Sequence, residues 1–401
     1  MLAWLAALAV SGTPGGVTAP CTETICGARA LAPLLDGIEA ERRERRRAFH
    51  ILQIGDSHTA GDNITGAWRR RLEQTYAPAG RGALAAGRPY RGYLTRDVTA
   101  GQTSGWTVSA SFGPAFVEDG PPVGLSGFTQ TAHGPGESLW LTADPGTHAF
   151  ERATVCAIEQ PGGGTLKLSL GSAEQLWDLE APRRRPACRT LESETFGVTA
   201  WLETVGDGIV SVTSLAVYRN NPGITLSNLG VPGAQLQHLA RMNDEVLAAE
   251  LAAWRPDLLI LAFGTNEGFS PVLNAEEAEA ALRTQVARLR RLAGRDVPIL
   301  LLGAPDAAIR TPTGTPRLAC GGGWYVPVLL EQVRARQAAT ARALGLAYWD
   351  WAAAMGGRCS ASRWVAAGEM RGDHVHFTRS GGERIGAMLD AALERALETV
   401  P

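Results

Sequence analysis

The 401-residue sequence lacks an excess of either charge, with 38 Lys and Arg set against 40 Asp and Glu. A chain this balanced has no overall field to draw in nucleic acid or an anionic membrane surface, so neither is an expected partner. Its one dense basic run, Arg42 to Arg47 interrupted by Glu44, falls in a helical pattern and reads as a solvated face. Beyond the first residues no stretch approaches the roughly 20 apolar residues of a spanning helix, so stable membrane insertion is not expected. Paired C-x-x-C spacing with histidines is absent, which argues against zinc. There is no internal repeat.

What is present is ample apolar material, 45% hydrophobic residues over a length suited to two domains. The first nineteen residues, MLAWLAALAVSGTPGGVTA, join a short apolar stretch to a small-residue end, without a positive n-region. They read as an export signal, which predicts a periplasmic or secreted protein. The cysteines, at 21, 26, 156, 188, 320 and 359, make an even set that suits an oxidising compartment. Proximity and domain membership pair Cys21 with Cys26, Cys156 with Cys188, and Cys320 with Cys359.

Two textures alternate along the chain. Residues 49–75 read as a buried strand, HILQIGDS, then a turn and a helix from about Asn63 that carries Ile64, Trp68 and Leu72 at helical spacing. From about 223 the pattern resumes: ITLSNLG and a helix from Gly233, PDLLILAFG and a helix over 274–293, VPILLLGAP and a helix near 327–344, then GLAYWDW and a terminal helix after Thr378. Asn274 and Glu277 have the spacing of a capping box. Near-continuous apolar strands between amphipathic helices predict a parallel α/β sheet covered on both faces. Between about 100 and 222 the helical period gives way to short alternating segments such as SLWLTA, TLKLSLG and GIVSVTSLAVY, separated by Gly, Pro and Asp turns. That predicts an all-β insert, a sandwich or jelly roll. The expected division is 1–19 signal, 20–99 with 223–401 as one domain in two segments, and 100–222 as the insert.

Sites in an open parallel sheet form beyond the carboxyl ends of its strands. Ser57, in Gly55-Asp56-Ser57-His58, follows the first strand and lies near a helix amino end, where backbone N–H groups favour negative charge. An ordinary serine N-cap would look the same. A serine nucleophile needs a base, and Asp373-His374-Val375-His376 supplies an imidazole with a carboxylate three residues away that can fix its tautomer. On the residues alone His374 rivals His376. Gly233, in Asn228-Leu229-Gly230-Val231-Pro232-Gly233, is read as a backbone donor at a helix start, and Asn266, in Gly264-Thr265-Asn266-Glu267, as a side-chain donor to an oxyanion. Each stretch alone could be turn chemistry.

Taken in order, GDSH, NLGVPG, GTNE and DHVHFT resemble the four consensus blocks of the SGNH (GDSL-like) hydrolase superfamily. The resemblance implies a three-layer α/β/α, flavodoxin-like fold and a serine hydrolase free of metal or organic cofactor. It implies Ser57 as nucleophile with its own N–H in the oxyanion hole, Gly233 and Asn266 as the other donors, and Asp373 and His376 completing the triad in place of His374. The long GDSHTAGD block, Tyr348-Trp349-Asp350-Trp351 and the inserted β domain are similar to the peptidoglycan O-acetylesterase branch. That likeness implies removal of O-acetyl groups from a cell-wall polysaccharide. The branch's insert is similar to a carbohydrate-binding module, which makes Trp106, Trp140, Trp177 and Trp201 candidates for sugar stacking, against their commoner role in packing. A polysaccharide O-acetyltransferase with the same triad, a non-catalytic glycan-binding protein, and a lipase or thioesterase are the alternatives.

Overall fold

A computed structural model describes residues 21, 25–44, 48–145, 149–310 and 317–399, with no side-chain description for 39–44. The expected signal over 1–19 and the side chains of the basic run Arg42 to Arg47 lie outside the described residues.

Five strands form a parallel sheet: β1 (Ala48–Gly55), β2 (Gly223–Gly230), β3 (Leu258–Ala262), β4 (Ile299–Leu302) and β5 (Ala347–Trp349), in the spatial order β2-β1-β3-β4-β5. All but the first residue of β1 are buried, as expected of strands covered on both faces. The longer helices among the described residues cover it: α1 (Ala32–Glu44), α2 (Asn63–Tyr76), α3 (Asp244–Trp254), α4 (Ala275–Ala293), α5 (Val328–Ala343) and α6 (Arg379–Thr399). Because strand side chains alternate, Phe49 and Ile51 pack with Trp68 of α2 and Leu389 and Leu393 of α6. Leu52 and Ile54 pack on the other face with Leu247 of α3 and Val286 and Leu289 of α4. The predicted capping box closes α4, with Asn274 Oδ1 accepting from Glu277 N at 2.9 Å and a Glu277 carboxylate oxygen accepting from Asn274 N at 3.0 Å.

This is the flavodoxin-like order, in which winding reverses between β1 and β3 and opens a crevice beyond their carboxyl ends. The fold is therefore the α/β/α sandwich that the strand texture implied.

Between α2 and β2 the chain builds two antiparallel sheets. One is six-stranded, with Arg185–Gly197, Phe150–Glu159, Ile209–Tyr218, Phe128–His133 and Thr107–Ala110 in a row and Gly82–Leu84 paired to Ile209–Tyr218. The other is five-stranded, in the order Val98–Gln102, Ser138–Ala143, Thr199–Thr204, Thr165–Leu170 and Ala173–Asp178. Leu141, Leu168, Trp177 and Leu202 meet Val155, Val210 and Leu215 in a shared core. Strand Gly82–Leu84 joins this structure ahead of residue 100, where the sequence texture changes.

The insert is tied to the α/β layer by a buried carboxylate. Glu250 of α3 accepts from Leu125 N at 2.6 Å, Thr213 Oγ1 at 2.7 Å and Ser214 Oγ at 2.8 Å. Trp106 and Trp177 are buried, with their indole N–H groups donating to Ser138 O and Glu159 Oε1. Trp140 and Trp201 lie on the outer face of the five-stranded sheet, stacked with centroids 4.8 Å apart. The three disulfides are Cys21–Cys26, Cys156–Cys188 and Cys320–Cys359. The last fastens a hairpin (Arg317–Gly321 with Trp324–Pro327) that the sequence texture did not suggest.

Candidate active site

Three loops converge at the carboxyl ends of β1, β2 and β3, and a fourth arrives ahead of α6. β1 ends at Gly55, where a Cβ would lie 2.1 Å from Thr59 Oγ1 and 2.6 Å from Ala262 O, so only glycine allows the chain to turn there. Asp56 caps the following single turn, Ser57–Ala60, by accepting from His58 N at 2.9 Å. The turn presents Ser57 at its first position.

From the far end of the chain, His376 brings Nε2 to 3.0 Å from Ser57 Oγ. Its Nδ1 lies 2.9 Å from Asp373 Oδ2. A carboxylate only accepts, so Nδ1 carries the proton and Nε2 is left to accept from the Ser57 hydroxyl. Asp373 Oδ1 also accepts from the backbone N–H groups of Val375 and His376, at 2.9 Å each. Burial alone would raise the Asp373 pKa, but the His376 N–H groups and the Val375 N–H hold it below the usual aspartate value.

His374, the rival imidazole, is turned elsewhere. With φ of 58° it points its ring onto Trp324, centroids 3.5 Å apart, and its Nδ1 faces Gly372 O at 3.3 Å. The structure thus brings His376, not His374, to the serine.

Gly233 follows β2 in a turn with φ of 78°, and not at a helix start as expected. A short 3-10 turn begins only at Leu236 and α3 at Asp244. The physical reason is local: Pro232 and a left-handed glycine end the strand in a turn, where Ala234 N donates to Val231 O at 3.0 Å. Gly233 is exposed, and its neighbour Pro232 lines the cavity at Ser57.

Asn266 sits in the single turn Thr265–Gly268 after β3. Its Nδ2 donates to Ala234 O at 2.9 Å and lies 3.4 Å from Asp56 Oδ2, a long contact. Glu267 beside it is fully buried and bridges two loops, accepting from Leu236 N at 2.7 Å and from Gly264 N at 2.9 Å. Burial pushes its carboxyl up to about 7, against the pull of those N–H groups. Gln235 adds a second tie, from Nε2 to Asn266 O at 3.0 Å.

Ser57 and His376 open into a cavity of about 250 Å³ whose other walls include Tyr90, Leu94, Pro232 and Arg371. Among the described residues no cluster of three or more His, Cys, Asp or Glu could hold a metal ion.

Comparison with known proteins bears on the family and the fold. The model of the GDSL-like lipase/acylhydrolase family fits residues 198–384, a span that holds Gly233, Asn266, Asp373 and His376 and begins after Ser57. A solved peptidoglycan O-acetylesterase superposes with a TM-score of 0.77 at 27% identity, over 92% of this chain and 97% of that one. This chain is an SGNH-type hydrolase. A family two carbohydrate esterase from Clostridium thermocellum (11% identity, 67% and 95% coverage, TM-score 0.30) and a family 3 esterase from Talaromyces cellulolyticus (16%, 44% and 73%, 0.29) are also similar, too distantly to add to the argument. No curated protein matches.

In this SGNH hydrolase two residues near the site had no part in the sequence reading. Glu267 and His58 stand inside the recognised blocks, and their signal was a titratable side chain placed directly beside a site residue at a strand end. Nothing in the sequence named their partners.

Proposed function

We propose that the protein is an exported esterase that removes O-acetyl groups from a polysaccharide, O-acetylated peptidoglycan first, through an acetyl-serine intermediate. The observation that carries this is the unbroken line from Ser57 Oγ through His376 to Asp373 at 3.0 and 2.9 Å. As the Ser57 oxygen bonds to the acetyl carbonyl carbon, His376 Nε2 takes its proton and Asp373 stabilises the imidazolium. The oxyanion is received by the N–H groups of Ser57 and Gly233 and by the Asn266 amide, whose long contact with Asp56 is the one it gives up. Collapse expels the sugar alkoxide, protonated by His376. Water, deprotonated by the same nitrogen, then attacks the acetyl-serine and releases acetate.

The peptidoglycan preference leans on the similarity to a solved peptidoglycan O-acetylesterase over 92% of the chain. Export to the periplasm or beyond is supported by the disulfides and by the leader-like residues 1–19. Domain-wise, the reading assigns 20–99 and 223–401 to the hydrolase and 100–222 to a carbohydrate-binding-module-like insert.

The test is acetate release from O-acetylated peptidoglycan, O-acetylated xylan and a short aryl acetate, by the native protein and by Ser57→Ala. The native protein should favour the wall polymer, and the folded variant should lose turnover on all three. Near-normal hydrolysis by Ser57→Ala rejects the mechanism; release from xylan alone keeps the triad and rejects the substrate.

A further inference from the structure

His58, directly after Ser57, has almost no contact with solvent. Its ring is walled by Trp351 and Phe377, with centroids at 5.5 and 5.7 Å, and lies 5.7 Å from the ring of His376. Both ring nitrogens have partners. Nδ1 is 3.1 Å from Asp56 Oδ1, and Nε2 is 2.9 Å from the carbonyl oxygen of Val375.

Those partners decide the protonation of the ring. A backbone carbonyl can only accept, so Nε2 must carry a proton. The Asp56 oxygen that faces Nδ1 already accepts from His58 N at 2.9 Å, and the other faces the Asn266 amide at 3.4 Å. Asp56 is thus surrounded by donors, as a carboxylate is, and Nδ1 must donate too. A neutral imidazole has one N–H and can satisfy only one of the two; the imidazolium satisfies both.

Val375 is the residue before His376, and its N–H is held by Asp373 Oδ1. With the carbonyl held by His58, the peptide units flanking Val375 are pinned on both sides. Asp56 and Ser57 stand on the loop after β1, whereas Val375 and His376 stand on the loop before α6. The ring is therefore a strut across the gap that the catalytic proton must cross.

We propose that His58 is a positioning residue, a doubly donating imidazolium that clamps the loop bearing His376 to the loop bearing Ser57. The proposal rests on the triad reading above. Burial by itself works against a charged ring, but the Asp56 carboxylate, with the Val375 carbonyl and Asp373, outweighs it and leaves the His58 pKa raised. The titratable groups facing the ring are Asp56, Asp373 and His376; Trp351 and Phe377 carry none. The clamp is closed below the raised pKa and opens as pH climbs through it, when one nitrogen becomes a lone pair facing an acceptor.

Two measurements test this. In the native protein, the nitrogen resonances of His58 should show both ring nitrogens protonated at neutral pH, with one proton lost on the alkaline side. Kinetics on a short aryl acetate should show kcat down about 10²-fold in His58→Phe, which keeps a ring but neither hydrogen bond, with KM changed by about threefold or less. The native kcat should fall on the alkaline side, and that fall should be missing in His58→Gln, which keeps a donor and does not titrate. A singly protonated His58 in the folded protein at neutral pH overturns the clamp. So does a His58→Phe enzyme within about threefold of native kcat with the native pH profile. Ser57→Ala run alongside separates the two claims: if it is dead while His58→Phe is normal, only the clamp fails; if it is active, the triad reading fails.

Discussion

Asp373 does three jobs with two oxygens, since Oδ1 takes the N–H groups of Val375 and His376 while Oδ2 takes the imidazole. In Asp373→Asn the amide must place an N–H₂ group against one of these donors. If that group faces His376, the ring turns over to the wrong tautomer and Nε2 can no longer accept from Ser57. The expected result is a drop in kcat of about 10³- to 10⁴-fold with the fold retained, measured by aryl acetate kinetics beside circular dichroism. Retention of even a tenth of the native kcat would mean that Asp373 does not orient the base. The chemistry made the kinds of residue in this line legible, a serine after a strand and a histidine close to an acid, but it left His374 beside His376, and the resemblance to the SGNH blocks made the choice between them. His58 was not, because what makes it interesting is a carbonyl 317 residues away.

At the scale of elements, the five core strands could be read from the sequence because strands buried on both faces are near-continuous apolar runs, and helices between them must carry stripes. The order of the antiparallel strands could not, since pairing there is non-local and each strand's alternation fits several neighbours. The expected helix at Gly233 failed for a local reason, a proline and a left-handed glycine, and the segment that follows the turn is held by Glu267 through Leu236 N. Glu267→Gln tests that dependence. An amide cannot accept at both Leu236 N and Gly264 N, so one buried donor is left facing another at a cost of about 1–3 kcal/mol. The prediction is a lower melting temperature together with a kcat loss on the order of 10-fold, as the Gly233 and Asn266 loops drift apart. A variant less stable but equal to the native protein in kcat would confine Glu267 to a structural part.

At the scale of the whole molecule, the hydrolase layer and the β sheets are joined by buried charge. Asp62, next to α2, accepts from Arg69 at 3.0 Å and Arg81 at 3.1 Å, and from Arg96 N at 2.8 Å. Arg69 reaches on to Asp97 and to Leu226 O of β2, and both Arg69 and Arg81 donate to Asn228. The network therefore spans the segment that leads from α2 into the insert and the strand by which the chain returns. Burial alone would raise the Asp62 pKa, but the two guanidinium groups and Thr65 pull it from 3.8 down to about 2. A depressed carboxylate stabilises the fold at pH above its unfolded value and loses that contribution as pH falls through the folded one. For Asp62 the window runs from near 3.8 to about 2, and the contribution is on the order of 2 kcal/mol. Acidification through that window should therefore lower the melting temperature of the native protein steeply. Asp62→Asn should be less stable by about 3–5 kcal/mol at neutral pH, because it leaves two buried arginines short of their counter-charge. Its melting temperature should also fall less between pH 4 and 2, the titrating group being gone. Parallel acid profiles for the two proteins would show that the carboxylate does not bind the two sheet systems together through its charge.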